Sequence, residues 1–153
     1  MALSNKRIGV IVDEGFEDLE SWVPVMRLRE EGATVVVIGT GRQTSFTGKH
    51  CLTVTPDVSA AAVDPATLDA IVVPGGWAPD KLRRDEAILN IVRTLHREKK
   101  IIAAICHGGW VLASAEVIEG RRVTGSRGIK DDMVHAGGIW QDVPALRDGH
   151  FVF

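Results

Sequence analysis

Cys106 is the residue of this sequence with the clearest chemical potential. It follows the apolar run 101–105, and His107, two glycines and the start of a helical pattern come after it. A nucleophile at such a strand-to-helix turn is held off the strand with its reactive atom exposed, as serine is in hydrolases. The neighbouring helix N-terminus also favours a thiolate. The sequence therefore predicts a reactive nucleophile at this position rather than a buried core cysteine.

An acidic group that could exchange a proton with this thiol is expected where the first helix begins. Glu17 lies there, and Asp13, Glu14 and Asp18 are nearby rivals that spacing alone does not separate from it. If the carboxylate reaches Cys106, each group disfavours the charge of the other, which favours a thiolate beside a protonated acid. Such an acid could donate a hydrogen bond and later move a proton.

Backbone N–H groups that could face a developing oxyanion are predicted at two turns. Gly76 follows the third apolar strand and His107 follows the cysteine, so their N–H groups are the natural pair of donors. Trp77 and Trp110 flank the same turns and are expected to shape the mouth of a pocket. Asp80, which follows a proline, is on its own most simply explained as a helix cap.

The elements that must bring these groups together are apolar strands that alternate with helical patterns. The strands are predicted at 8–12, 34–38, 70–73 and 101–105, the main helices at 16–31 and 86–97, and a small hairpin within 39–57. This alternation predicts a flavodoxin-like, three-layer α/β/α sandwich with a mainly parallel sheet and a small side hairpin. Ligands of such sheets bind beyond the carboxyl ends of the strands, so the loops after strands one, three and four should converge.

Length and composition favour one domain, residues 1–153, without a membrane span or a nucleic-acid surface. The chain has 153 residues, 45% of them apolar, and a formal net charge of -2 without a basic block. Two cysteines do not indicate a disulfide framework, so a reducing cytoplasm is expected. The histidines lack the spacing of metal ligands, and the sequence predicts neither a metal site nor a cofactor.

Five motifs, in this order, resemble those of the PfpI/ThiJ superfamily, which includes PfpI-type intracellular proteases and the parkinsonism-associated protein deglycase. They are GFEDLE at 15–20, TGKH at 47–50, VPGGWAPD at 73–80, AAICHG at 103–108 and GIKDDM at 128–133. The resemblance covers nearly the whole chain. It is strongest to the PfpI branch, because a histidine follows the cysteine.

The resemblance implies roles that the residues alone do not. It implies that Glu17 is the acid beside Cys106. It also implies that Asp80 reaches His107 across a subunit interface and completes a Cys106–His107–Asp80 triad in a dimer, or in a hexamer built from dimers. Members of the superfamily continue past their last strand with a turn and a helix, so we expect that C-terminal helix to be missing from this sequence.

Three departures from the superfamily pattern weaken the prediction of a protease more than they weaken the prediction of a reactive thiol. Gly109 stands where many members have proline, Ser126 where archaeal protease-like members often have tyrosine, and Asp80 where some have glutamate.

The resulting hypothesis is a cofactor-independent, cysteine-dependent stress-protection enzyme of deglycase or glyoxalase type. Its substrates would be small carbonyl compounds or glycated protein side chains. Peptide hydrolysis by the Cys–His–Asp set is the close alternative. The alternative of another class is a redox-sensing stress protein or chaperone whose Cys106 is oxidised to the sulfinic acid. A glutamine amidotransferase is disfavoured, because the late chain lacks a His-x-Glu pair.

Overall fold

Strands and helices alternate along almost the whole chain in the computed structural model, which describes every residue from Met1 to Phe153. In chain order the elements are β1 (Arg7–Val12), α1 (Asp18–Glu30), β2 (Thr34–Gly39), β3 (Phe46–Thr47), β4 (Thr53–Val54), β5 (Val58–Ser59), β6 (Ala70–Val73), α2 (Ala78–Leu82), α3 (Glu86–Arg97), β7 (Ile101–Ala104), α4 (Gly109–Ser114), β8 (Arg122–Val123), α5 (Lys130–His135), β9 (Ile139–Trp140), β10 (Arg147–Asp148) and β11 (Phe151–Val152).

Seven strands form the central sheet in the order β10-β11-β7-β6-β1-β2-β5. All neighbouring strands are parallel except β10 and β11. The five residues Ile8–Val12 of β1 are all buried, as a parallel strand requires when helices cover both faces of its sheet. The predicted α/β class and the mainly parallel sheet are therefore confirmed, and β3 and β4 form the predicted side hairpin.

Helix α3 has the apolar face that its sequence predicts. Asp85 begins it as an N-cap, since its side chain accepts the N–H groups of Ala87 and Ile88. The apolar side chains of one helix face are buried against the sheet, among them Ile88, Ile91, Val92 and Leu95. None of the helices is both long and apolar enough to cross a membrane.

Helix α1 differs from its prediction. It begins at Asp18 rather than Phe16. Its side chains Leu19, Val23 and Met26 recur at helical spacing, which ordinarily marks a core-facing stripe, and yet they are exposed. The face that the helix buries carries Asp18, Ser21 and Val25 instead. The buried carboxylate of Asp18 is tolerated because it accepts two backbone N–H groups from the 48–52 turn. This helix phase decides which acidic side chains reach the loops at the sheet edge.

Candidate active site

Cys106 occupies a strained turn between β7 and α4. Its φ is +56°, in the left-handed region that residues with a side chain rarely adopt. The turn is fixed on both sides, because Ile105 N–H donates to the carbonyl of Val73 (3.0 Å) and Ser126 N–H donates to the carbonyl of Cys106 (3.1 Å). The predicted elbow is present, and its surroundings hold the cysteine in a conformation that it would not adopt alone.

The three loops at the carboxyl ends of β1, β6 and β7 converge, as the topology predicts. Glu17 N–H donates to the carbonyl of Gly75 (3.1 Å), and Trp77 N–H donates to the carbonyl of Gly15 (2.8 Å). The loop after β6 therefore lies directly between the start of α1 and the Cys106 elbow.

Glycines allow this close approach. A Cβ atom on Gly75 would lie 2.7 Å from the Cβ of Cys106 and 2.7 Å from Oε2 of Glu20. Gly76 has a φ of +80° and forms a bridge with Phe16. A side chain at either position would push the loop away from the thiol.

The carboxylate beside the thiol is Glu20, which corrects the prediction that Glu17 takes this place. Oε2 of Glu20 accepts the N–H of Gly75 (2.8 Å) and lies within reach of Cys106. The Glu17 carboxylate instead contacts the side chains of Lys49 (2.9 Å) and His50 (3.2 Å). Glu17 is the N-cap residue of α1, and Glu20 lies one turn further along the helix.

A sequence signal for Glu20 did exist. Glu17 and Glu20 are three residues apart, and residues at this spacing share a helix face. The other rivals have structural roles: Asp18 accepts N–H groups of the 48–52 turn, and the Asp13 carboxylate accepts the hydroxyl of Thr40 (2.6 Å).

Burial and charge set the protonation of the thiol–carboxylate pair. Burial raises the pKa of Cys106, and the negative charge of Glu20 raises it further. Burial likewise raises the pKa of Glu20, although the N–H of Gly75 opposes that shift. Both shifts keep the proton on the thiol at a higher pH than in a free cysteine. Glu20 is the base placed to receive that proton.

His107 contacts the thiol both through its ring and through its backbone. Its Nδ1 lies 3.2 Å from Sγ of Cys106, a contact that the sequence did not require. Burial lowers the pKa of His107, so the imidazole is neutral at neutral pH. The backbone N–H groups of His107 and Gly76 both stabilise negative charge on the sulfur, so the two predicted oxyanion donors are brought together.

Asp80 does not join this group within the chain. Its carboxylate is 51% exposed and accepts a hydrogen bond from Arg84 (2.6 Å). Its contact with His107 across a subunit interface stays a prediction.

The two predicted pocket tryptophans lie in the loop after β6 and in α4. Trp77 is 66% exposed. The ring of Trp110 meets the edge of His107 at a centroid distance of 5.2 Å, and its indole N–H donates to Asp132 (2.6 Å).

A cavity of about 370 Å³ borders Cys106 and is lined by the 124–126 segment and by Val143, Pro144 and Phe153. Neither Glu20 nor His107 lines it, and neither do the two predicted pocket tryptophans. No group of three or more His, Cys, Asp or Glu side chains in the chain is arranged to hold a metal ion.

Comparison with known proteins gives consistent matches. The model of the DJ-1/PfpI family matches residues 6–152. Deglycase PYRAB04690 of Pyrococcus abyssi is 42% identical over 146 residues, which are 95% of this chain and 87% of that relative. Deglycase PH1704 of Pyrococcus horikoshii is 44% identical over 137 residues, which are 90% of this chain and 82% of that relative.

A solved structure has the same fold. It is a two-domain protein of Anabaena variabilis with DJ-1/ThiJ/PfpI-like and ferritin-like domains, and it matches with a TM-score of 0.94 and 32% identity. The match covers 96% of this chain and 42% of that one, so this chain spans less than half of the two-domain protein.

Proposed function

This chain belongs to the DJ-1/PfpI family, and we propose that it is a cysteine-dependent enzyme acting on reactive carbonyls such as methylglyoxal and on their early adducts with protein side chains. Two relatives at 42% and 44% identity are named deglycases. The observation that carries the proposal is the group around Cys106: a carboxylate base, a neutral imidazole and two backbone N–H donors.

The first step of the proposed reaction is addition of the thiol to the aldehyde carbon of methylglyoxal. Glu20 accepts the thiol proton as the sulfur attacks, and the N–H groups of Gly76 and His107 stabilise the alkoxide that forms. Return of the proton to this alkoxide gives a hemithioacetal and leaves Glu20 ionised.

The second step moves hydrogen between the two carbons. Glu20 removes the proton from the former aldehyde carbon, and the electron pair moves to the ketone oxygen to give an enediolate. Glu20 then protonates the adjacent carbon, and the remaining hydroxyl proton passes to the neighbouring alkoxide, which leaves a thioester of lactic acid on Cys106. Water hydrolyses this thioester, and the net reaction is methylglyoxal plus water to lactate and a proton.

Lactate formation tests the proposal directly. We expect the protein to convert methylglyoxal to lactate without added cofactor, as followed by proton NMR, and we expect the Cys106→Ala variant to form none. Equal rates of methylglyoxal loss with both proteins would overturn the proposed function.

The contact between Sγ of Cys106 and Nδ1 of His107 favours a second candidate, a cysteine peptidase. In that case Asp80 would orient His107 from a neighbouring subunit. A fluorogenic peptide assay with Asp80→Asn separates the candidates: peptidase activity that depends on Asp80 supports the triad, whereas lactate formation without peptide cleavage supports carbonyl chemistry.

We infer that the active form is a homo-oligomer, a dimer or a hexamer. The exposed α1 side chains Leu19, Val23 and Met26 form, with Leu52 of the adjacent turn, an apolar surface of the kind that marks association sites. Light scattering on the purified protein checks the assembly.

A reducing compartment such as the cytoplasm would keep the thiol available for catalysis.

A further inference from the structure

Lys49 extends from the side hairpin into the region that decides the charge of the active site. Its Nζ lies 2.9 Å from Oε2 of Glu17 and 5.5 Å from the centroid of the Trp77 ring. The contact with Glu17 raises the pKa of Lys49, and the negative charges of Cys106 and Glu20 raise it further. None of the catalytic roles described above uses this lysine.

The backbone around Lys49 is fastened to the loop between β1 and α1. Lys49 N–H donates to the carbonyl of Phe16 (2.9 Å), and the N–H of Gly15 donates to the carbonyl of Thr47 (2.8 Å). Asp18 accepts two further N–H groups of the same turn, both at 2.8 Å. The ammonium is therefore presented by a fixed turn and not by a free loop.

Two carboxylates and one ammonium are the charged groups nearest the thiol. Helix α1 contributes Glu17 and Glu20, whose charges disfavour a thiolate, and the elbow contributes the neutral imidazole of His107. The hairpin turn contributes Lys49 and His50, of which His50 is 68% exposed. The Lys49 side chain is only 28% exposed and lies against Glu17, so its charge is less screened by water than that of a surface lysine.

We propose that Lys49 is a positioning residue that offsets the negative charge of Glu17 beside the thiol, so that Cys106 releases its proton at a lower pH than the two carboxylates alone would allow. The Lys49–Glu17 pair contributes no net charge, and Glu20 alone remains to act on the thiol as its base. This role rests on the proposed function, in which the sulfur is the attacking atom.

The rate of Cys106 alkylation as a function of pH tests this proposal. Iodoacetamide is used in a Cys51→Ser background, and the modified residue is identified by mass spectrometry. We expect Lys49→Met to raise the midpoint of the profile by roughly one pH unit, because an opposite charge near the thiolate is lost. Lys49→Arg keeps the charge and should keep the midpoint, and Lys130→Met on the exposed surface of α5 is the matched control.

The double variant Glu17→Gln with Lys49→Met gives the sharpest result. It removes both charges, so the midpoint should return to the wild-type value, whereas Glu17→Gln alone should lower it because Lys49 is then unopposed. An unchanged midpoint in Lys49→Met overturns the proposal. So does a double variant whose midpoint is raised as far as that of Lys49→Met.

If Lys49→Met does not fold by circular dichroism, Glu17→Gln alone decides, and an unchanged or higher midpoint overturns the proposal. Alkylation needs no carbonyl substrate. A protein without lactate formation but with the expected midpoints would therefore disprove the proposed function and leave the role of Lys49 intact.

Discussion

The two cysteines of this protein have the same unusual backbone conformation and very different surroundings. Cys106 has a φ of +56° and Cys51 a φ of +71°, and neither forms a disulfide. Cys51 lies exposed in the turn between β3 and β4, next to the apolar side chains of α1. Cys106 is half-buried between a carboxylate, an imidazole and two inward-facing N–H groups.

A strained turn presents a sulfur but does not by itself make a catalytic site. The turn at Cys51 serves to fasten the hairpin, since Cys51 N–H donates to the carbonyl of Gly48 (3.1 Å). The elbow at Cys106 is surrounded by three loops that the parallel sheet places at one edge. The residues that surround each thiol, and not its backbone angle, therefore distinguish Cys106 from Cys51.

The largest expected effect comes from replacing each thiol in turn. Cys106→Ser should reduce the rate of lactate formation by about 10³-fold or more, because the hydroxyl is a far weaker nucleophile than the thiol. Cys51→Ser should stay within about twofold of the wild-type protein, since surface substitutions rarely disturb a distant site. Comparable losses in both variants would remove the distinction between the two turns.

Removing the base beside the elbow should have the next largest effect. Glu20→Gln keeps the size of the side chain but cannot accept the thiol proton, and kcat should fall by about 10²- to 10⁴-fold. Glu17→Gln is the matched control on the same helix, and a loss below about tenfold is expected because its carboxylate faces Lys49 and His50. The reverse order of losses would restore Glu17 as the acid at the thiol.

The smallest effect tests the backbone conformation that the two cysteines share. Cys51→Gly should raise the free energy of unfolding by about 0.5 to 1 kcal/mol, since glycine adopts a positive φ without strain. Cys106→Gly should bring no such gain, because it also removes a half-buried side chain packed against Gly75. Urea denaturation measures both, and a destabilised Cys51→Gly variant would show that its turn is unstrained.

The sequence predicted the part of the site that local pattern determines. A strand followed by Cys-His-Gly-Gly indicates an elbow, and a parallel sheet implies that the loops after β1, β6 and β7 meet. The strand boundaries and the apolar face of α3 follow from runs of apolar residues and from helical spacing.

What the sequence could not provide depends on tertiary context. Leu19, Val23 and Met26 follow a helical apolar stripe and yet face outward, so the sequence pattern alone does not give the phase of α1. Which of Glu17 and Glu20 touches the thiol follows from that phase and from the contact of the Gly75 N–H with Glu20. The contact of Lys49 with Glu17 spans 32 residues of sequence, and no local spacing encodes it.

The pH dependence of the Cys106 thiolate in a Glu20→Gln variant tests most directly whether the neighbours of Cys106 determine its reactivity. The absorbance of the thiolate is followed during a pH titration in the Cys51→Ser background. The negative charge of Glu20 raises the pKa of Cys106, so its removal should shift the midpoint to lower pH. A midpoint that is unchanged or moves to higher pH would show that Glu20 does not control the charge of Cys106.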